Sequence, residues 1–144
     1  EPSGMVFNAD GTKMYVVGPE EDEVNQYTLT TAFDVTGTVT HNGAFNNAPQ
    51  ETSVQGITFN ADGTKMYLVG VSGDDVNQYT LTTAFDVLGT VTFNGAFSVA
   101  GQDTYPRDVT FNTDGTKMYV LGDTGNDVNQ YTLTTAFNVT FNTT

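Results

Sequence analysis

Phe7-Asn8-Ala9-Asp10-Gly11-Thr12-Lys13-Met14-Tyr15 returns as Phe59-Asn60-Ala61-Asp62-Gly63-Thr64-Lys65-Met66-Tyr67, and again as Phe111-Asn112-Thr113-Asp114-Gly115-Thr116-Lys117-Met118-Tyr119. The three starts lie 52 residues apart. A second stretch, V-N-Q-Y-T-L-T-T-A-F, begins at Val24, Val76 and Val128 with the same spacing of 52 and is identical in all copies. Self-similarity at a fixed period marks a repeat architecture. Nothing between copies reads as a linker, so the chain is one array with units at about 1–52, 53–104 and 105–144.

The second copy shows the strand signals well. Residues 56–60 are a short β-prone run, and 61–63 are a turn in which Gly63 can take the positive φ of a tight hairpin. Residues 65–69 form a second strand and 72–75 a second turn. Residues 76–81 alternate, with Tyr79 and Leu81 on one side and Gln78 and Thr80 on the other. Residues 82–88 bridge to a fourth strand near 90–93, and 98–107 lead into the third copy. Four short antiparallel strands in a unit of about 50 residues match one blade of a β-propeller. A solenoid β-helix needs a shorter period, and a sandwich does not repeat its loops residue for residue. The expected fold is all-β, with three four-stranded blades. The third copy lacks the D-V-x-G-T stretch of 34–38 and 86–90, so its last strand, within 138–144, is expected to be short or frayed.

The pattern F-N-x-D-G-T-K-M-Y-x-x-G, followed by D-x-V-N-Q-Y-T-L-T-T-A-F-D-V, resembles propeller repeats of marine phage and environmental marine bacterial sequences. The D-G-T-K-M-Y-V-V-G hairpin at 10–18 is more distantly similar to the Y-V-T-N repeats of lactonase-like and surface-layer propellers. The resemblance covers nearly the whole chain. It implies a propeller fold and a virion-associated, extracellular or cell-surface setting. It leaves activity open, because propellers host many unrelated functions.

Propeller rings hold about 4–8 blades, so three blades leave an open wedge with two bare sheet faces. Those faces would carry the Val, Met, Tyr and Leu residues that pack between blades within the chain. Burying such surface is worth about 25 cal/mol per Å², and large exposed apolar patches are rare on monomers. Blade 3 is therefore expected to dock on blade 1 of another copy as blade 1 docks on blade 2. That head-to-tail contact makes a ring if the rotation closes. Three blades per chain give six in a homodimer, the favoured state, and nine in a homotrimer. The sequence opens at Glu1-Pro2-Ser3 without an initiator Met, just before an innermost strand, and stops within an outermost one. It reads as a processed or excised piece, and a cut fragment of a longer array is the other account of the missing blades.

Four basic residues face seventeen acidic ones, a formal net charge of −13. A nucleic-acid partner or an anionic membrane surface needs a basic footprint, so neither is expected. No apolar run reaches the roughly 18 residues of a membrane helix, so membrane insertion is not expected. Cys is absent, which removes disulfide and thiol chemistry. Acidic residues gather in the loops between second and third strands: Glu20, Glu21, Asp22 and Glu23, then Asp74 and Asp75, then Asp123 and Asp127. Glu51 and Asp103 join them from the connections between blades. This rim is a candidate for cations, Ca²⁺ above all, because a hard ion prefers carboxylate oxygens. No run matches a dedicated Ca²⁺ loop, and a solvated rim that keeps the ring soluble is the plainer reading.

Asp10, Asp62 and Asp114 sit in hairpin turns, where Asp bonds its own backbone. Lys13, Lys65 and Lys117 open second strands, as turn caps or as guards against edge pairing. Two Tyr series, Tyr15, Tyr67, Tyr119 and Tyr27, Tyr79, Tyr131, suit inter-blade packing with a hydroxyl at the rim, or ligand pockets between blades. His41 is the only His and stands where copy two has Phe93, which suits packing or the rim. Arg107, the only Arg, lies beside Tyr105. The two are the ligand candidates, for an anion or a sugar ring, with pairing of Arg107 to a nearby carboxylate as the alternative.

No set of nucleophile, base and orienting residue is visible, and there is no phosphate-binding glycine loop or His-based metal motif. Near-identical blades supply the same residues repeatedly, whereas catalysis needs different groups in distinct roles. The expectation is a non-enzymatic structural or interaction module that assembles with itself and needs no cofactor beyond the Ca²⁺ option. A lectin-like ring binding glycans through repeated weak sites is an alternative, with avidity from multiplicity. A lactonase-like hydrolase with a metal in the central channel is another.

Overall fold

Turn residues punctuate each copy at the same places, and the computed structural model, which describes residues 1–20 and 22–140, shows strands between them. The first copy holds β1 (Gly4–Phe7), β2 (Lys13–Val17), β3 (Glu23–Leu29) and β4 (Val39–Asn46). The second holds β5 (Val54–Phe59), β6 (Lys65–Gly70), β7 (Asp75–Leu81) and β8 (Val91–Ser98). The third holds β9 (Pro106–Phe111), β10 (Lys117–Gly122) and β11 (Asp127–Thr132). Each copy is one antiparallel sheet with its strands in chain order, as in propeller blades.

One expectation needs correction, and one falls partly outside the described residues. The fourth strand of the second copy runs past the expected 90–93, to Ser98, because the pairing continues across a bulge at Gly95. The register shifts between Gln78 and Tyr79, opposite a Gly95 at φ 142°, and the pairing then continues to Ser98. Of the last strand expected in copy three, residues 138–140 form no strand, and 141–144 lie outside the described residues.

The hairpin that opens each copy fixes the blade's lower end. Asp62 Oδ1 accepts from the Thr64 amide at 2.9 Å and from the Thr64 hydroxyl at 2.5 Å. Those two bonds hold its carboxyl below the usual carboxylate range. Gly63 sits at φ 72°, and a Cβ there would overlap the ring of Phe85. Phe85 itself has φ 55°, a conformation that costs a bulky residue on the order of 1–3 kcal/mol. The contact of ring with glycine and the bond from the Phe85 amide to the Gly63 carbonyl, 2.9 Å, hold it there. Phe33 on Gly11 and Phe137 on Gly115 repeat the arrangement.

The core lies between blades. Side chains alternate along a strand, so β6 sends Met66 and Leu68 to one face and Tyr67 and Val69 to the other. Tyr15, Val17 and Val24 of the first blade cluster with Ile57, Met66, Leu68, Tyr79 and Val87 of the second. Tyr67, Val69 and Val76 cluster in the same way with Val109, Met118, Val120, Tyr131 and Val139 of the third. Tyr15 meets Phe59 and Tyr67 meets Phe111, at centroid distances of 4.7 and 4.5 Å.

Candidate functional site

A polar device spans both contacts between blades. Lys13 Nζ and the Tyr15 hydroxyl donate to the Phe85 carbonyl of the next blade, at 3.0 and 2.5 Å. The Val87 amide donates back to Gln26 Oε1 at 3.1 Å. One copy on, Lys65 and Tyr67 donate to the Phe137 carbonyl at 2.9 and 2.6 Å, and the Val139 amide donates to Gln78 Oε1 at 2.9 Å. Burial pushes the Tyr15 and Tyr67 hydroxyls far above their ordinary pKa, so they stay protonated as donors. Lys13 and Lys65 are thus inter-blade donors rather than turn caps or edge guards. Gln26, Gln78 and the left-handed Phe residues were not singled out from sequence. Their one signal there was that V-N-Q-Y-T-L-T-T-A-F never varies.

The two ends of the array carry the halves of this device. Lys117, Tyr119 and Gln130 stand where Lys65, Tyr67 and Gln78 stand, with no counterpart among the described residues. At the other end, Phe33 and Val35 occupy the places of Phe85 and Val87. The apolar surfaces match in the same sense. Leu121 and Val128 are 47% and 60% exposed, while their equivalents Val69 and Val76 are fully buried. Met5 and Val35 are each 53% exposed, while Ile57 and Val87 are buried. Met5, Met14, Val16 and Val35 line a groove of about 430 Å³ on that first face.

The opposite rim gathers the acidic candidates. Glu23, Asp75 and Asp127 open the third strands. Asp22 and Asp74 adopt φ 50° in the turns before them, and their carbonyls accept the Asn47 and Val99 amides. Asp75 accepts from Asn77 at 2.6 Å and Asp127 from Asn129 at 2.8 Å. Burial, then the charges of Glu51 and Asp74, push the Asp75 carboxyl up. Glu20 meets the terminal ammonium of Glu1 at 3.3 Å. Glu21 lies outside the described residues. Among the described residues, no three His, Cys, Asp or Glu side chains are grouped so that they could hold a metal ion.

Glu51 and Asp103 do something else. Both are buried, and each takes the backbone amides of the following turn. Glu51 accepts from Ser53, Ser72 and Gly73 at 2.7, 3.1 and 3.3 Å. Asp103 accepts from Tyr105 and Gly125 at 2.6 and 2.7 Å. Gly70 and Gly122 leave the space their carboxyls fill. Burial pushes the Asp103 carboxyl up, but the amides of Gly125, Tyr105, Thr124 and Asp123 outweigh it and hold it below the usual range.

Tyr105 and Arg107 are brought together. The guanidinium lies over the Tyr105 ring at 4.3 Å from its centroid. It also donates to Gln55 Oε1 at 3.2 Å and to Asp123 Oδ2 at 3.0 Å, so the carboxylate pairing weighed for Arg107 is present. Tyr105, Arg107 and Gln55, with Ser3 and Pro19, line a cavity of about 380 Å³. An anion entering it must displace Gln55 or Asp123. His41, within β4, is exposed, bonds Asn25 Oδ1 at 2.9 Å and lies tilted against the Tyr27 ring at 5.0 Å between centroids.

Three antiparallel blades joined in series are the geometry of a partial propeller, and residues 2–137 match the family model described as lactonase, 7-bladed β-propeller. This chain belongs to the seven-bladed propeller lactonase family. Solved structures share the family's fold. The periplasmic gluconolactonase PpgL of Pseudomonas aeruginosa matches with a TM-score of 0.65 and 18% identity, over 91% of this chain and 35% of its own. A protein of Lactobacillus plantarum matches with a TM-score of 0.68 and 18% identity, over 91% of this chain and 37% of its own. The Swd1 β-propeller domain of Myceliophteria thermophila matches with a TM-score of 0.64 and 10% identity, over 92% of this chain and 40% of its own. At such identities the likeness shows the fold alone. This lactonase-family chain spans between 34% and 39% of the length of the first structures it matches. No curated protein matches its sequence.

Proposed function

We propose that this chain is a non-catalytic, self-complementary propeller module that closes its ring by docking head to tail on a second copy. The observation that carries the reading is the polar device repeated at both internal contacts, whose two halves are left over at opposite ends of the array. In the ring, Lys117 and Tyr119 donate to the partner copy's first-blade Phe carbonyl, and Gln130 accepts the amide two residues further on. Exposed Leu121 and Val128 then cover the groove walled by Met5, Met14, Val16 and Val35. Two copies give six blades, within the usual range of about 4–8. The setting that goes with the reading is a virion or cell-surface particle, as the resemblance to marine phage and bacterial repeats implies.

Absolute mass in solution tests the reading. Size-exclusion chromatography with light scattering should return twice the 15.5 kDa chain mass across a concentration series. Three times that mass points to a nine-bladed trimer. A folded monomer at every concentration refutes the reading.

Family membership favours one second reading, a lactone hydrolase using the cavity of Tyr105 and Arg107. Its test is turnover of a gluconolactone, with and without added Ca²⁺. Turnover lost in Arg107→Ala would replace the non-catalytic reading.

A further inference from the structure

Inner strands of neighbouring blades meet backbone to backbone at one corner. A Cβ at Gly4 would stand 2.8 Å from the Gln55 carbonyl oxygen and 3.1 Å from the Cα of Gly56. One at Gly56 would stand 2.9 Å from the Arg107 carbonyl oxygen and 2.8 Å from the Cα of Asp108. Non-bonded carbons rest about 3.5–4.0 Å apart, so neither place takes a side chain without pushing the next strand away. Neither glycine has a φ in the left-handed region, so each serves close approach and not a turn. The third copy departs from this pattern. Residue 108 stands where 4 and 56 stand, and it is Asp. It is exposed, and its Oδ1 accepts the Val109 amide at 2.9 Å. Its register partner is larger as well: Leu121 pairs with Asp108, where Val17 pairs with Gly4 and Val69 with Gly56. Both changes add bulk to one corner of blade 3, at the far end of β10 from Lys117 and Tyr119.

We propose that Asp108 is a specificity-determining residue of the contact between copies, one that forbids there the close inner-strand packing of the two internal contacts. The inference rests on the head-to-tail reading above. Repeating the internal geometry once more would set the Asp108 Cβ against the backbone of the partner copy's first inner strand, as a Cβ at Gly4 would be set against Gln55 and Gly56. Leu121 has a groove to enter, walled by Met5, Met14, Val16 and Val35. A Cβ facing a strand's backbone has none, because that backbone cannot rotate aside as a flexible side chain can. The docking copy therefore closes on the end of Lys117, Tyr119 and Gln130 and stands off at the Asp108 end. Contacts within a chain and contacts between chains are then of two kinds, close and splayed, although the repeats are nearly identical.

Sedimentation equilibrium of the 144-residue chain beside Asp108→Gly is the test. Glycine at 108 should lower the dissociation constant about 30-fold or more, equivalent to about 1 kcal/mol of relieved overpacking at each of two seams. Asp108→Ala keeps the Cβ and should recover little of that gain. Alanine that matches glycine overturns the proposal, because the block would then lie in the carboxylate. Gly56→Ala carries the same block into an internal contact and should lower the urea midpoint of the single chain; an unchanged midpoint also overturns the proposal. Association of the parent with no gain in Asp108→Gly sinks this inference alone. A parent that stays monomeric while Asp108→Gly dimerises sinks self-closure of this chain alone and leaves Asp108 as the block. Monomers in both cases sink both.

Discussion

Tyr67→Phe and Tyr119→Phe are the same change at equivalent positions, yet they should register in different assays. At position 67 the lost hydroxyl donates to the Phe137 carbonyl at 2.6 Å, inside the chain. That carbonyl keeps Lys65 Nζ at 2.9 Å, so no buried acceptor is orphaned. The cost is then the net worth of one hydrogen bond, about 1 kcal/mol, and it should appear in urea unfolding of the chain. At position 119 the hydroxyl has no partner among the described residues, and folding of the single chain should be unchanged. A closed dimer has two seams, so the change counts twice there. About 2 kcal/mol is roughly a 30-fold rise in the dissociation constant. Sedimentation equilibrium over a dilution series measures it, on the chain and on both variants. An unaltered association constant for Tyr119→Phe, alongside the expected loss for Tyr67→Phe, would refute the head-to-tail contact and keep the inter-blade device. No loss for Tyr67→Phe would refute the device itself.

Asp103→Asn should lower stability at neutral pH and flatten the acid limb of the stability profile. The folded carboxyl lies below its unfolded value, so its contribution is complete above about pH 4 and disappears as pH falls through the folded pKa. Urea titrations at several pH values check this, and parallel curves for parent and variant would contradict it. Gly63→Ala puts a Cβ into the Phe85 ring at a φ of 72°, and a loss of about 2 kcal/mol or more is expected in denaturant unfolding. Met66→Ala empties a fully buried site and should cost about 2–5 kcal/mol. Met14→Ala, on the open face of the first blade, should leave chain unfolding nearly unchanged and weaken association instead.

The period of 52 made the number of blades legible from sequence, because each copy repeats the same strands and turns. The hairpin Asp residues were legible too, since an Asp two residues before a Thr amide makes a local bond. Contacts between blades were not. Lys13 reaches a carbonyl 72 residues away, and identical copies give no sign of which copy a side chain addresses. The length of β4 and β8 escaped because the pairing continues past a bulge at Gly43 and Gly95, and only the partner strand reveals that. For Tyr105 and Arg107, adjacency in sequence was visible, but Gln55 and Asp123 arrive from other strands and loops.

Differences between the copies are themselves placed unevenly. Positions that match in every copy, such as Asn8, Asp10, Gly11, Lys13, Tyr15, Gln26 and Phe33 of the first, build the hairpin end and the device that locks one blade to the next. Many of the positions that differ fall at the start of the first strand, in the loop after the second and in the connection between blades, as with Ser3, Gln55 and Arg107 or Glu20, Ser72 and Thr124. Hydrogen bonds and the cavity bring these segments to one rim. Glu51 holds Ser72 and Gly73, Thr104 meets Thr124 at 3.3 Å, and Arg107 joins Gln55 to Asp123. Blade-to-blade docking demands the same donors and acceptors each time, so it holds the residues of the device constant and leaves more of the other end free to diverge. A ligand that distinguishes one blade from another must therefore be sought at the rim of Tyr105 and Arg107, and the opposite end should tolerate no change that the neighbouring blade does not also accommodate.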